Sequence, residues 1–210
     1  MVLELIENYY YAGTHNGEYS NATSWQGQTF TVGNTGENKN YILKQIKILA
    51  RRYGTTSSVD FRIYETSSGV PTGSPISQDT IDVSSWSKLT REWRTIEMPE
   101  VELQASTMYA IVWTTPRIYC EYVSGYAGTY PDYTGGTRVI SSNGGASWII
   151  LETEYCFEVW GEGIGIGTNC KINIDDEWKE VNAIKINIDD EWKEVASAKV
   201  NIGDEWKTIF

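Results

Sequence analysis

Polar and apolar positions alternate in short runs along most of the chain. Residues 58–65 show it most plainly, with Val59, Phe61 and Ile63 set against Asp60, Arg62 and Tyr64. A period of two is that of a strand with one buried face. Residues 28–32 and 43–51 read the same way, the latter with Ile46 and Ile48 on one face. Further strands are predicted at 76–83, 91–98, 108–114, 118–123, 138–141, 148–151 and 155–160. No convincing long helix interrupts them. The stretch Ser-Ser-Gly-Val-Pro-Thr-Gly-Ser-Pro-Ile at 67–76 is dense in turn formers and reads as a loop. Short strands parted by turns at this spacing predict an all-β protein, with a jelly-roll-like β-sandwich over residues 1–160. The pattern leaves open whether residues 1–12 form its first strand or an arm. Alternating glycines, Gly161, Gly163, Gly165 and Gly167, then mark 161–170 as a linker, because glycine weakens any strand it joins.

Residues 171–210 say the same thing three times. Lys171 opens KINIDDEWKEVNAI, Lys185 opens KINIDDEWKEVASA and Lys199 opens KVNIGDEWKTIF, a period of 14 residues with the third copy two short. A fixed period marks a repeat architecture. Each copy carries few apolar side chains: Ile172, Ile174, Trp178 and Val181 in the first, Ile186, Ile188, Trp192 and Val195 in the second, Ile202 and Trp206 in the third. A unit so small cannot bury its own apolar face, so these are the candidate assembly residues, expected to stack on each other, on the body or on another chain. Two conformations compete. Lys-Ile-Asn-Ile alternates, Asp-Asp or Gly-Asp turns, and Trp-Lys-Glu-Val returns, which makes a short β-hairpin. A three-residue loop would put Ile174 and Trp178 on one face and a two-residue loop would not, so the register is open. Ile174, Val181, Ile188, Val195, Ile202 and Ile209 also recur every seven residues, as in a coiled-coil seam. No second seam position accompanies them, and Asn, Asp, Gly and β-branched residues disfavour a helix. Three β-hairpin repeats are therefore expected.

Composition narrows the function. The 210 residues suffice for one sizeable core or two small ones, and 19 Gly, 14 Tyr and 9 Trp suit an all-β chain with many turns. A formal charge of −11 argues against partners such as nucleic acid or an acidic membrane surface. No apolar run reaches membrane-spanning length, so no membrane insertion is expected. The start, MVLELIENYYYAG, lacks a basic segment and is not expected to be a signal peptide; either the protein is not exported by that route or a leader has been removed. Cys120, Cys156 and Cys170 give an odd count without metal-type spacing. Cys120 and Cys156 have the placement to pair across neighbouring strands, but nothing indicates an oxidising compartment and reduced thiols are expected.

Candidate chemistry is thin, and no cofactor, metal or catalytic residue is assigned. His15, the one histidine, sits in a polar Gly-Thr-His-Asn-Gly stretch and reads as an exposed loop residue. No helix follows the alternating glycines to cradle an anion. Glu152 and Glu154 have the residue type of a glycosidase pair, yet alternation makes them a solvated strand face. The Asp175-Asp176-Glu177 and Asp189-Asp190-Glu191 runs lack the spaced ligands of a calcium loop. The stretch 119–136 has a ligand-binding flavour, with Tyr122, Tyr126, Tyr130 and Tyr133 in a Gly-rich segment where sandwich loops cluster. Such rings suit stacking on sugars or docking on a protein, and are candidates for that; capping the core from the sandwich edge is the reading preferred.

QGQTFTV, VDFRIYETSSGVPTGSPI, EVELQASTMYAIVW, SSNGGASW and a closing FEVWGEG run in that order between residues 20 and 161. The succession resembles β-sandwich domains of the choice-of-anchor type, found in prokaryotic surface proteins and phage structural proteins. Within it, 141–148 is similar to the Asp-box hairpin of sialidases, with Asn143 where that motif has Asp and Ser147 where it has Thr. That device ties a turn with a side-chain oxygen and is not catalytic. Residues 171–210 resemble the Lys-x-Asn-Ile-Gly-Asp-x-Trp-Lys repeats that end many phage tail, fibre and other virion-associated proteins. The resemblance implies a non-enzymatic structural or attachment protein on a virion or extracellular surface. It would be a tail or fibre component, a decoration protein or a filament subunit, partnered with its own copies or other virion proteins. The alternative is a secreted carbohydrate-binding or adhesion module of a prokaryotic cell surface, partnered with surface glycans.

Overall fold

The computed structural model describes residues 2–10, 16–19, 23–55, 57–114, 118–123, 133–164 and six short strands between 171 and 208. For 16–19, 121–123 and those six strands it describes the backbone. The chain divides into two units, Met1–Gly163 and Ile164–Phe210.

The first unit opens with strands β1 (Leu3–Tyr9), β2 (Asn16–Tyr19), β3 (Trp25–Thr31), β4 (Tyr41–Arg52), β5 (Ser58–Ser67) and β6 (Val70–Asp82). It continues with β7 (Glu92–Leu103), β8 (Met108–Thr114), β9 (Ile118–Val123), β10 (Arg138–Ser141), β11 (Ile149–Leu151), β12 (Glu154–Tyr155) and β13 (Phe157–Gly163). One sheet runs β1-β13-β4-β7 and the other β3-β8-β5-β6, with every pairing antiparallel. Counting only these eight strands in chain order, the sheets read 1-8-3-6 and 2-7-4-5. That interleaving of two Greek keys is the jelly roll. Residues 115–156, between β8 and β13, are an elaboration: β9 and β12 lengthen the first sheet with β2, while β10 and β11 add an edge beyond β3 in the second.

The two inner faces meet in one core, where Phe30, Phe61, Ile63, Ile111 and Trp113 from the second sheet face Leu43, Ile46, Ile48, Phe157 and Val159 from the first. Each such side chain contributes roughly 1.5–3 kcal/mol by leaving water. Strand β4 changes phase as it crosses this core. Tyr41 and Leu43 are buried, then Ile46, Ile48 and Ala50, because Lys44 is an extra residue against β13 and stands against a bulge of residues 98–100 in β7. Polar residues bridge the layers where the core would otherwise strand them. Buried Gln28 accepts the Tyr155 amide at 2.7 Å through its side-chain oxygen, and Gln26 accepts the Tyr155 hydroxyl at 2.7 Å. Cys120 and Cys156 are buried thiols; Cys170 lies outside the described residues.

The question left open over residues 1–12 is resolved in favour of a strand, since 3–9 form β1, paired with β13. Two expectations need correction. The first three residues assigned to the linker, 161–163, finish β13 instead; pairing on both sides, to β1 and β4, outweighs the weak strand propensity of glycine. Residues 67–76 are not a loop, since β5 ends at Ser67, Ser68 and Gly69 turn with φ of 53° and 78°, and β6 begins at Val70. Pro71 and Pro75 are tolerated there because β6 is the outer strand of its sheet.

In the second unit, β14 (Lys171–Ile174) pairs with β15 (Glu177–Glu180), β16 (Lys185–Ile188) with β17 (Glu191–Glu194) and β18 (Lys199–Ile202) with β19 (Glu205–Thr208). Ile174 stands opposite Glu177 and Asn173 opposite Trp178, so two residues separate the paired strands. Of the candidate assembly residues, Ile172, Ile174, Trp178, Ile186, Ile188, Trp192, Ile202 and Trp206 fall in these strands. Val181 and Val195 lie outside the described residues, as do the connections between paired strands, and the hairpin repeat as a unit stays a reading of the sequence.

Candidate functional site

The site is built outward from β8. Its central run is buried on both sides: Ile111 and Trp113 belong to the main core, while Ala110 and Val112 join Tyr64 of β5 in a second cluster. A sheet face this apolar needs a cover. Trp25, at the start of β3, and Trp148, just before β11, pack against the cluster and supply part of it. Their ring centroids are 6.5 Å apart with planes at 58°. The Arg62 guanidinium lies 4.8 Å from the centre of the Trp25 ring and is held by Asp60 at 3.3 Å.

Two turns frame these rings. The first, between β10 and β11, is tied by its own side chains. Ser141 Oγ accepts from the Gly145 amide at 2.9 Å, and Asn143 Oδ1 accepts from the Ser147 amide at 3.0 Å. Asn143 Nδ2 donates to Ser147 Oγ at 2.9 Å. Gly145 has φ of 86°, and a Cβ there would sit 2.5 Å from Trp25 Cζ3, so only glycine lets this backbone lie against the indole. The second turn is the tip of the β5–β6 hairpin. Its ladder slips between Ile63, opposite Ser77, and Glu65, opposite Thr72, which leaves 73–76 as a bulge with Gly73 at φ 69°.

Between the turns lies a cleft of about 460 Å³, lined by Trp25, Tyr64 and residues 70–73 and 144–148. Thr72 and Ser147 are exposed at its rim, whereas Tyr64 is 7 % exposed. The Tyr64 hydroxyl makes no hydrogen bond to a described residue. The lining contains no Asp, Glu, Lys, Arg or His among the described residues. Such a surface suits stacking and neutral hydrogen bonds.

Of the four tyrosines singled out from the sequence, Tyr133 is described with its side chain, and it does not line the cleft. Tyr133 is a core residue, not a surface platform: it is 5 % exposed, packs edge-on to Phe157 with centroids 5.3 Å apart, and gives its hydroxyl proton to Glu7. Tyr122 lies on β9, opposite Asn16 and Tyr155. Tyr126 and Tyr130 lie outside the described residues, as does His15. Sequence reasoning missed Trp25 and Tyr64 as site residues. The signal for Tyr64 was present, since an aromatic ring stood with Asp60 and Arg62 on the face expected to meet water. No group of three or more His, Cys, Asp or Glu placed to hold a metal occurs among the described residues.

No family model matches the chain, and no curated protein matches its sequence.

Proposed function

We propose that the chain is a non-enzymatic structural or attachment protein of a virion or a similar extracellular assembly. The jelly roll is its outward body, and the C-terminal repeats dock onto other copies of the chain or onto other assembly proteins. A tail or fibre component, a decoration protein and a filament subunit all fit this description. One observation carries the reading. In residues 164–210 each described strand has a single described partner, in a two-stranded ladder. A two-stranded ladder is marginal in water and gains stability from a third strand or an apolar cover. Three such ladders at a 14-residue period are a surface made to be covered. The resemblance of the repeats to those of phage tail and fibre proteins supports the same conclusion, and the net charge of −11 disfavours nucleic acid as the partner.

Size-exclusion chromatography with light scattering on the full chain and on a chain ending at Gly163 tests the proposal. The full chain should form a defined oligomer and the shorter one a monomer that keeps its β-sheet circular dichroism. Two monomers would overturn self-assembly, and failure to be retained by other particle proteins would overturn docking.

A further inference from the structure

We infer that the cleft between the β5–β6 tip and the β10–β11 turn is a binding site for a neutral hexopyranose unit of a glycan. The site lies within residues 1–163 and does not rest on the assembly role given to the repeats.

Three observations converge on a sugar. First, Trp148 and Trp25 are partly buried, tilted rings on the outer face of a sheet, in a cleft of a volume suited to a small ligand. The apolar C–H face of a pyranose stacks on such an indole, and its hydroxyls remain at the edges for hydrogen bonding. Second, the edges are polar but uncharged. Thr72 and Ser147 sit at the rim, and Gly73, Gly144 and Gly145 bring backbone carbonyls to it without side chains to screen them, while the Gly144 and Gly145 amides are held by the Thr23 carbonyl and Ser141 Oγ. With no charged side chain among the described residues of the lining, the complementary ligand is neutral; an acidic sugar would find no cation nearby beyond Arg62, which Asp60 already engages. Third, Tyr64 lines the cleft with its ring largely buried and its hydroxyl free of hydrogen bonds to described residues. That hydroxyl is both a donor and an acceptor, available to a ligand hydroxyl without breaking a bond of the fold.

A proline-rich peptide also seeks aromatic grooves, but it needs successive pockets along an extended path. Here two turns close on one compact cleft.

The site is also preassembled. Trp25 is clamped between the Gly145 backbone and the Arg62 guanidinium, so little ordering remains to be done on binding.

The test is a tryptophan-fluorescence titration of the full chain with glucose, galactose and N-acetylglucosamine oligosaccharides, each alone, and with a proline-rich peptide. At least one oligosaccharide should give a saturable change at millimolar concentration or below. Trp148→Ala should weaken it about tenfold through loss of the stacking face, and Tyr64→Phe several-fold through loss of one hydrogen bond. Trp93→Ala, on the other sheet, should leave it unchanged. Tyr64→Phe removes a hydroxyl that the fold does not use, so it decides the matter even if Trp148→Ala unfolds. No saturable change with any oligosaccharide overturns the proposal. So does binding that survives both cleft variants, or binding of the peptide alone.

Discussion

Tyr133 donates its hydroxyl proton to Glu7 Oε2 at 2.8 Å, across 126 residues of chain. Glu7 is fully buried on β1. Oε2 also accepts from Thr35 Oγ1 at 2.9 Å, and Oε1 accepts from the Thr35 amide at 2.7 Å and the Gly36 amide at 3.4 Å. One carboxyl group thus ties the first strand, the β3–β4 connection and the insertion together. Buried acceptors of this kind are tolerated only when satisfied.

Replacing Tyr133 with Phe should therefore cost roughly 1–3 kcal/mol, because it leaves Glu7 one donor short in a site closed to water. Urea denaturation followed by circular dichroism measures this. A midpoint equal to that of the parent protein would mean the clamp contributes nothing.

The same contact makes stability depend on alkaline pH. Burial, then the neighbouring Glu7, pushes the Tyr133 phenol well above its ordinary value of 10.0, and burial also raises Tyr41 and Tyr109. The unfolded chain releases these protons near pH 10 and the folded chain keeps them. Above that pH the unfolded state binds fewer protons, so stability is full below pH 10 and falls as pH rises. A single group contributes up to about 1.4 kcal/mol per pH unit. Denaturation midpoints should decline above pH 10, and the decline should be shallower in Tyr133→Phe; identical slopes would contradict this.

Gly144 and Gly145 both have positive φ, yet their replacement should differ. At Gly144 an added Cβ meets nothing within 4 Å, while at Gly145 it meets Trp25 at 2.5 Å. Gly144→Ala should cost about 1–2 kcal/mol of backbone strain. Gly145→Ala should cost more and shift the tryptophan emission, because the indole must move. Equal losses without a spectral shift would place the Gly145 backbone away from the ring.

Gly161 is the corresponding test for the first sheet. A Cβ there would lie 2.4 Å from the Ile42 carbonyl oxygen and 2.8 Å from Ile6 Cδ1. Gly161→Ala should destabilise by about 1–3 kcal/mol through overpacking, and faster amide exchange should concentrate in β1, β13 and β4. Protection equal to the parent's would show that the strands absorb the methyl group without moving apart.

The alternating strands were legible because one face of each meets the core, and period two survives wherever the ladder is regular. It failed where ladders slip. In β1 the register shifts between Leu5 and Glu7, so Ile6 and Glu7 are buried in succession and the apolar pattern breaks at a charged residue. In β6 the turn formers of 67–76 concealed a strand whose edge position tolerates proline. The cleft was hidden for a different reason. Tyr64 reads as solvent-facing from its own strand, and only the folding of two distant turns over the sheet buries it. Trp148 was visible as part of a turn motif, but its partner Trp25 lies more than a hundred residues earlier, and no local pattern links them.

The pairing of β1 with β13 also sets how the body responds to load. Leu3 stands opposite Glu162, so the points where the backbone enters and leaves this unit sit side by side at one end of a single ladder. Tension applied between them pulls across that ladder from its open end, so cross-strand pairs separate one after another instead of shearing together. A particle held through both ends of this unit would tear it open like a zipper at modest force, whereas attachment through one end alone leaves the ladder unstressed.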